Sequence, residues 1–366
     1  MFFIALVAVM LFGSASAEGE WHQVNVPITS IWTVPWETFG PFTYPAWGWP
    51  TESAAVALKE HDSQLVLHER VIDLVGCRNA GMLHVAIPSQ PDAEGRPGEG
   101  YINKDHVVPC GKQTFNTIMV VQALATKIYA GRRSNGTQAV FGSVLQHNKL
   151  YSVGDQVAFT QSNGTVAMVD KRDVRVITPQ LESVGELRAV VCANALNFLG
   201  MPYCWGGRSP FVGDFTPVPG IELEVPTSVD CSGLIHLVMH SVGLTVPRNA
   251  GSQGVCMQSL EPAAMQPGDI IYFKPLVAGG MRHVLMYLGN GQVIEASGSL
   301  GAQSSVCISN VVDRFGVALS VMKNGMELFA DHPTRKCQVM CGSFFNDPGK
   351  LQEMRDAFLA NVGYQA

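Results

Sequence analysis

The sequence predicts an α+β protein in which two small all-β barrels precede a domain of mixed helices and strands. Short strand-like runs fill the chain up to about residue 180. At Ser183 the apolar pattern switches to a helical period, and a cysteine then opens a second helix that three more strand-like runs follow. The 366 residues exceed one ordinary core and suit two or three units of roughly 100–200 residues each. With 47% hydrophobic and 15% charged residues, the composition is globular rather than disordered. A net charge of −6 and the lack of a Lys/Arg run argue against a nucleic-acid partner.

Met1 to Phe12 is almost wholly apolar and leads into Gly13-Ser14-Ala15-Ser16-Ala17 before Glu18. This pattern predicts a signal peptide over 1–17, cleaved after Ala17, and hence a secreted protein with no membrane contact once cleaved. The alternative is a membrane anchor, but the run is shorter than the ~20 residues of a span. Nine cysteines fit an oxidising compartment. If Cys231 stays a thiol, the other eight are even in number and allow disulfides, with Cys77–Cys110 a candidate pair. No CxxC pair suggests a zinc ribbon. Two Asn-Gly-Thr triplets, at Asn135 and Asn163, are glycan acceptors or ordinary turns.

Gln64–Leu67 and Val71–Val75 read as strands of a first barrel over 18–112. Pro88 to Gly100, rich in Pro, Gly and acidic residues, reads as a surface loop. A second barrel over 113–180 opens at Thr117–Val121 and contains the hairpin Val157–Thr160, Gln161–Gly164, Thr165–Val169. Ser183-x-x-Glu186 is a capping box, and Leu187, Val190, Val191, Ala195 and Phe198 keep helical spacing until Gly200 and Pro202. A second helix runs from Cys231 to about Val242, and strands follow at Asp269–Phe273, Val284–Leu288 and Gln292–Ala296. This third unit spans 181–321. A C-terminal extension, 322–366, ends in a helix that Asp347-Pro348 caps and Gly363 closes.

Cys231 sits where a helix starts. Unpaired backbone N–H groups and the positive end of the helix dipole favour thiolate there. Asp230 beside it can cap the helix or hold a cationic part of a substrate. A buried structural cysteine is the plain alternative. His283 precedes a strand, and a Cys/His pair makes a thiolate–imidazolium couple. Glu295 can orient that histidine on one condition. With a two-residue turn, Asn290-Gly291, it pairs with Met286 and faces away from His283. With a three-residue loop, Gly289-Asn290-Gly291, it pairs with Leu285 and shares the face of His283. His236 and His240, one turn apart, read as a solvated helix face rather than a metal pair.

Five motifs in order carry a family resemblance: Pro202-Tyr203-x-Trp205-Gly206-Gly207-Arg208-Ser209, Asp230-Cys231-Ser232-Gly233-Leu234, Pro247-Arg248, Gln266-Pro267-Gly268-Asp269-Ile270, and His283-Val284-x-x-Tyr287-Leu288-Gly289. Together they resemble the NlpC family of cysteine peptidases. The β-rich half resembles the paired bacterial SH3-like domains of the family's γ-D-glutamyl-L-diamino-acid endopeptidases, with Leu67–Val71 and Gly100–Ile102 as matching segments. The resemblance implies a papain-like catalytic domain, no cofactor and no metal. It implies a monomer that hydrolyses peptidoglycan fragments (muropeptides) between γ-D-glutamate and the diamino acid, with Cys231 as nucleophile and His283 as base. It also implies that Glu69, Tyr101, Trp205, Asp230 and Ser232 bind a free N-terminal L-alanine, two carboxylates pairing the ammonium.

Three features depart from the family pattern. Glu295 stands where His, Asn or Gln is usual. Pro210 to Val229 is a longer, Pro-rich insertion, and the extension after Met322 matches no familiar segment. A catalytically inactive wall-binding protein, and an amidase or acyltransferase on the same scaffold, are the competing functions.

Overall fold

The structure is a computed structural model that describes residues 19–35, 60–74, 81–111, 115–130, 133–148, 153–210, 227–276, 282–298, 304–332 and 335–365. The segment 1–17, Cys77 and most of the Pro210–Val229 insertion lie outside them.

The chain is mainly β with a few helices, the α+β class expected. Among the described residues, two N-terminal sheets of seven strands each precede a third of seven. In the first sheet the strand His61–Val66 lies at one end beside Ile28–Trp32, which neighbours Pro97–Asn103. Val24, Ile31, Leu65, Val71, Val85 and Ile102 fill its interior. The second sheet holds the expected hairpin, Gln156–Thr160 against Val166–Asp170, with Asn163 exposed in the turn. Alternation of apolar and polar residues sets the inward face of both sheets.

The loop expected at Pro88 to Gly100 is instead most of a hairpin. Met82–Pro91 pairs with Pro97–Asn103, and only Asp92 to Arg96 turns. The Asp92 carboxylate accepts from the N–H groups of Glu94 and Arg96 and closes the turn. Gly98 and Gly100 are strand glycines that admit neighbouring backbone. A side chain at Gly100 would lie 2.9 Å from the Trp32 carbonyl, and one at Gly98 2.8 Å from that of Gln90.

In the third sheet Ile270–Pro275, His283–Gly289, Gln292–Ser297 and Ser305–Asn310 run side by side. One face carries Tyr272, Val284, Met286 and Ile294 against the helices Val184–Leu196 and Cys231–Ser241. The other carries Ile271, Phe273, Leu285 and Val293 against Phe315 and Leu328. Ser183 caps the first helix by accepting from the Glu186 N–H.

Residues 322–366 are not a separate extension. Arg335–Ser343 pairs with Ile270–Pro275 over six positions and is an inner strand of this sheet. The helix Pro348–Val362, capped by Asp347, then lays Phe358, Leu359 and Val362 against Ile118, Val120 and Ile177 of the second sheet.

Candidate active site

Asp230 has extended backbone, with φ −93 and ψ −178, and its carboxylate accepts from the Gly233 N–H at 2.6 Å. This N-cap starts the Cys231 helix at the cysteine itself. The third position must be glycine, because any side chain there would collide with the Gly207 carbonyl. The Cys231 N–H, at the first turn of the helix, donates to no acceptor among the described residues.

The hairpin after His283 combines both readings of its turn. Asn290 and Gly291 both have positive φ, 52 and 74, as a two-residue type I′ turn requires, and Gly289 pairs with Gln292. The register then shifts between Gly289 and Tyr287, and Tyr287 pairs with Val293. This bulge at Leu288 restores the register expected of the longer loop, opposing Glu295 to Leu285. Glu295 therefore reaches His283, with Nε2 and Oε2 2.6 Å apart. Cys231 hydrogen-bonds to the same imidazole.

Burial alone would push the His283 pKa down. The charge and hydrogen bond of Cys231, then those of Glu295, hold it well above the ordinary value. Burial would likewise raise the Glu295 carboxyl, but His283 and Arg314 hold it at about 2. Arg314, on the short helix Val311–Phe315, donates from Nε to Oε1 at 2.7 Å and from Nη2 to Oε2 at 3.2 Å. The result is a buried chain of cysteine, imidazolium, carboxylate and guanidinium. Reading the sequence picked the first three members and missed Arg314, whose only signal was its place after the Glu295 hairpin.

The expected amine-binding residues are divided by the structure. Asp230 pairs with Arg248, whose Nη1 and Nη2 lie 3.1 and 2.9 Å from its two oxygens. Ser232 Oγ joins this cluster, donating to Asp230 and accepting from Arg248. Trp205 stands 48% exposed on the loop whose Gly207 carbonyl accepts from the Asp230 N–H. Glu69 is a correction. It is 2% exposed, and its oxygens are occupied by Arg208 at 2.7 and 3.0 Å, Ser89 Oγ and the Val66 N–H. It locks the first sheet to the catalytic unit and has no capacity left for a substrate. Tyr101 stacks on His84 with ring centroids 4.8 Å apart, and no hydrogen bond among the described residues joins it to Asp230.

The carboxylate that the first sheet does bring to Asp230 is Asp62. It is half-buried, and burial raises its carboxyl pKa while Arg248 lowers it and Asp230 raises it. Asp62 and Asp230 thus share the single guanidinium of Arg248. Its neighbour His61 bonds the Trp205 carbonyl through Nδ1 at 2.8 Å, and Ser63 accepts from Arg248 at 2.8 Å. The strand His61–Val66 thus borders the cysteine's loop.

His236 and His240 are a further correction, for both are buried rather than solvated. His236 Nδ1 accepts from Arg208 at 2.7 Å, and Nε2 faces the Ser89 carbonyl at 2.9 Å. Cys110 is buried and free among the described residues, and its expected partner Cys77 lies outside them.

Residues 200–316 match the NlpC/P60 family. Over 104 residues the chain is 42% identical to the peptidoglycan endopeptidase RipB of Mycobacterium tuberculosis, covering 28% of this chain and 40% of that protein. Over 100 residues it is 34% identical to a gamma-D-glutamyl-L-lysine dipeptidyl-peptidase of Bacillus cereus, covering 27% and 25%. The match thus spans less than half the length of these relatives. An NlpC/P60 family structure from Bacillus cereus superposes with a TM-score of 0.58 at 19% identity, covering 80% of this chain and 94% of that one, which shows a shared fold. With Cys231 at a helix start and His283 and Glu295 on the adjoining hairpin, residues 200–316 are an NlpC/P60 domain.

Proposed function

We propose that this protein is a cysteine peptidase that hydrolyses the γ-D-glutamyl–diamino acid bond of muropeptides bearing a free N-terminal L-alanine. The observation that carries the chemistry is the His283–Glu295 contact of 2.6 Å beside Cys231 at the helix start. The Cys231 thiolate attacks the γ-glutamyl carbonyl carbon, and the oxyanion is met by the unpaired Cys231 N–H. His283 gives its proton to the departing amine, leaving a thioester. Water attacks the thioester, His283 takes its proton, and the carboxylic acid leaves with Cys231 restored as thiolate. No step needs a metal or cofactor.

The preference for a free amine rests on the two carboxyl groups, Asp62 and Asp230, beside Arg248. An ammonium there replaces water with charge-assisted hydrogen bonds. We place the protein outside the cytoplasm as a monomer, reading 1–17 as a cleaved signal; a mature N-terminus other than Glu18 would remove that support. Hydrolysis of L-Ala-γ-D-Glu-diamino acid tripeptide, compared with its N-acetyl form and with intact sacculi, tests specificity. The free tripeptide is expected to be cut at least ~100-fold faster. Equal rates on all three would refute the amine site, and no hydrolysis of any would refute the peptidase.

A further inference from the structure

Glu295 is a buried carboxylate at 2% exposure, and a single histidine is a poor match for its two oxygens. Arg314 completes the match. Its Nε takes the oxygen that His283 leaves, and its Nη2 shares the oxygen that His283 uses. The guanidinium is itself fixed, lying 5.3 Å from the Phe273 centroid and 5.9 Å from that of Phe315. Phe273 also packs on the His283 ring at 5.6 Å. One aromatic therefore supports both the base and the cation behind its partner. Gly316, with φ 72, ends the helix immediately after Arg314 and Phe315.

We propose that Arg314 is a positioning residue for the proposed peptidase: it locks the Glu295 carboxylate toward His283 and balances its charge, so that Glu295 and Arg314 act on the base as one neutral unit. The inference rests on the assignment of Cys231 and His283 as nucleophile and base. Among the described residues, Arg248 and Tyr203 face the cluster from the Cys231 side, each feeling the Cys231 charge. Cys231 comes from the helix, Glu295 from the neighbouring strand and Arg314 from behind it. Cys307 lies opposite Glu295 on the next strand, a half-buried thiol pushed up first by burial and then by Glu295, and so neutral.

The neutral unit makes an asymmetric demand on mutation. Glu295→Gln removes the anion and leaves a buried guanidinium facing His283, which disfavours imidazolium. Arg314→Met leaves the anion unbalanced, which favours imidazolium. Removing both restores balance and costs only the orientation. The experiment is a pH profile of kcat/KM on the tripeptide for the wild type, Glu295→Gln, Arg314→Met, Arg314→Lys and the Glu295→Gln/Arg314→Met double variant. NMR titration of His283 in each protein needs no substrate, so it tests Arg314 even if the tripeptide is not cut, an outcome that would strike the proposed function alone.

The alkaline limb is expected to move down by about one pH unit in Glu295→Gln and up by about one in Arg314→Met. At neutral pH the single Glu295→Gln loses about 100-fold and the double variant about 10-fold. Arg314→Lys keeps the charge without the fork, so its limb stays at the wild-type position while the rate falls; it carries the test if Arg314→Met does not fold. A double variant no better than Glu295→Gln, or His283 titrating alike with Arg, Lys and Met at 314, would overturn the proposal.

Discussion

His236 and His283 are both shut away from water, at 0% and 6% exposure, yet their pKa values move in opposite directions. For His236, burial and then the charge of Arg208 push it well below the ordinary value. The ring is a neutral connector that accepts from Arg208 and spans to the Ser89 carbonyl of the first sheet. For His283, burial pushes the same way, but Cys231 and Glu295 outweigh it. Burial sets how strongly a neighbour is felt, and the sign of the neighbour decides the outcome. One histidine fastens two parts of the chain together, and the other stands between Glu295 and the proposed nucleophile Cys231.

The sharpest way to break this contrast is to remove the cysteine side chain beside His283. Cys231→Ala is expected to lower hydrolysis by at least about 10,000-fold, the scale for losing a catalytic nucleophile, with its melting curve close to wild type. Residual activity above a few per cent would move the nucleophile elsewhere. The next largest effect falls on the connector. Arg208→Met strips the cation from Glu69 and His236 and is expected to destabilise the fold by about 3–5 kcal/mol, read by chemical denaturation. An unchanged midpoint would mean that Glu69 is not held as a buried anion.

How much of this contrast was legible in the sequence depends on whether the partners lie close in the chain. Cys231 at a helix start and His283 before a strand were readable, because helix caps and strand ends are local. Glu295 hinged on one residue of register. The two-residue turn and the three-residue loop were each visible as separate options, but a two-residue turn followed by a bulge at Leu288 was not. His236 was misread because a helix viewed alone has an outer face, whereas here Ser89, from a strand some 150 residues earlier, covers it. Glu69 was chosen over Asp62 by motif position. Asp62 lies where the pairing of His61–Val66 with Ile28–Trp32 shifts register, and Arg208 claims Glu69 from across the interface. The strand Arg335–Ser343 lay beyond every recognised motif, and its pairing with Ile270–Pro275 is long-range.

The buried neutral histidines supply a smaller, graded effect. His61, His68 and His240 are held at about 4, chiefly by burial, and His236 lies well below its usual value. An unfolded chain takes up these protons near pH 6.5 and the native state does not. Stability is therefore complete above pH 6.5 and falls as pH drops from there toward 4, by up to about 1.4 kcal/mol per unit for each histidine. Urea midpoints at pH 7.5, 6 and 5 check the direction; a midpoint constant over that range would contradict the neutral assignments. The smallest effect belongs to the amine corner. Asp62→Asn is expected to lower kcat/KM for the free-amine tripeptide about tenfold, near the worth of one charge-assisted hydrogen bond, and to leave the N-acetyl form unchanged. Loss on both substrates alike would make Asp62 a support for Arg248 rather than a contact for the amine.

The central claim is that Cys231 and His283 form a thiolate–imidazolium pair while His236 stays neutral. Its most direct test is nitrogen NMR of histidine side chains at pH 7.5 in the wild type and in Cys231→Ala. The account requires His283 with both ring nitrogens protonated in the wild type, its imidazolium signal reduced when the thiolate is removed, and His236 carrying one proton in both proteins. A neutral His283 in the wild type, or a protonated His236, would contradict it.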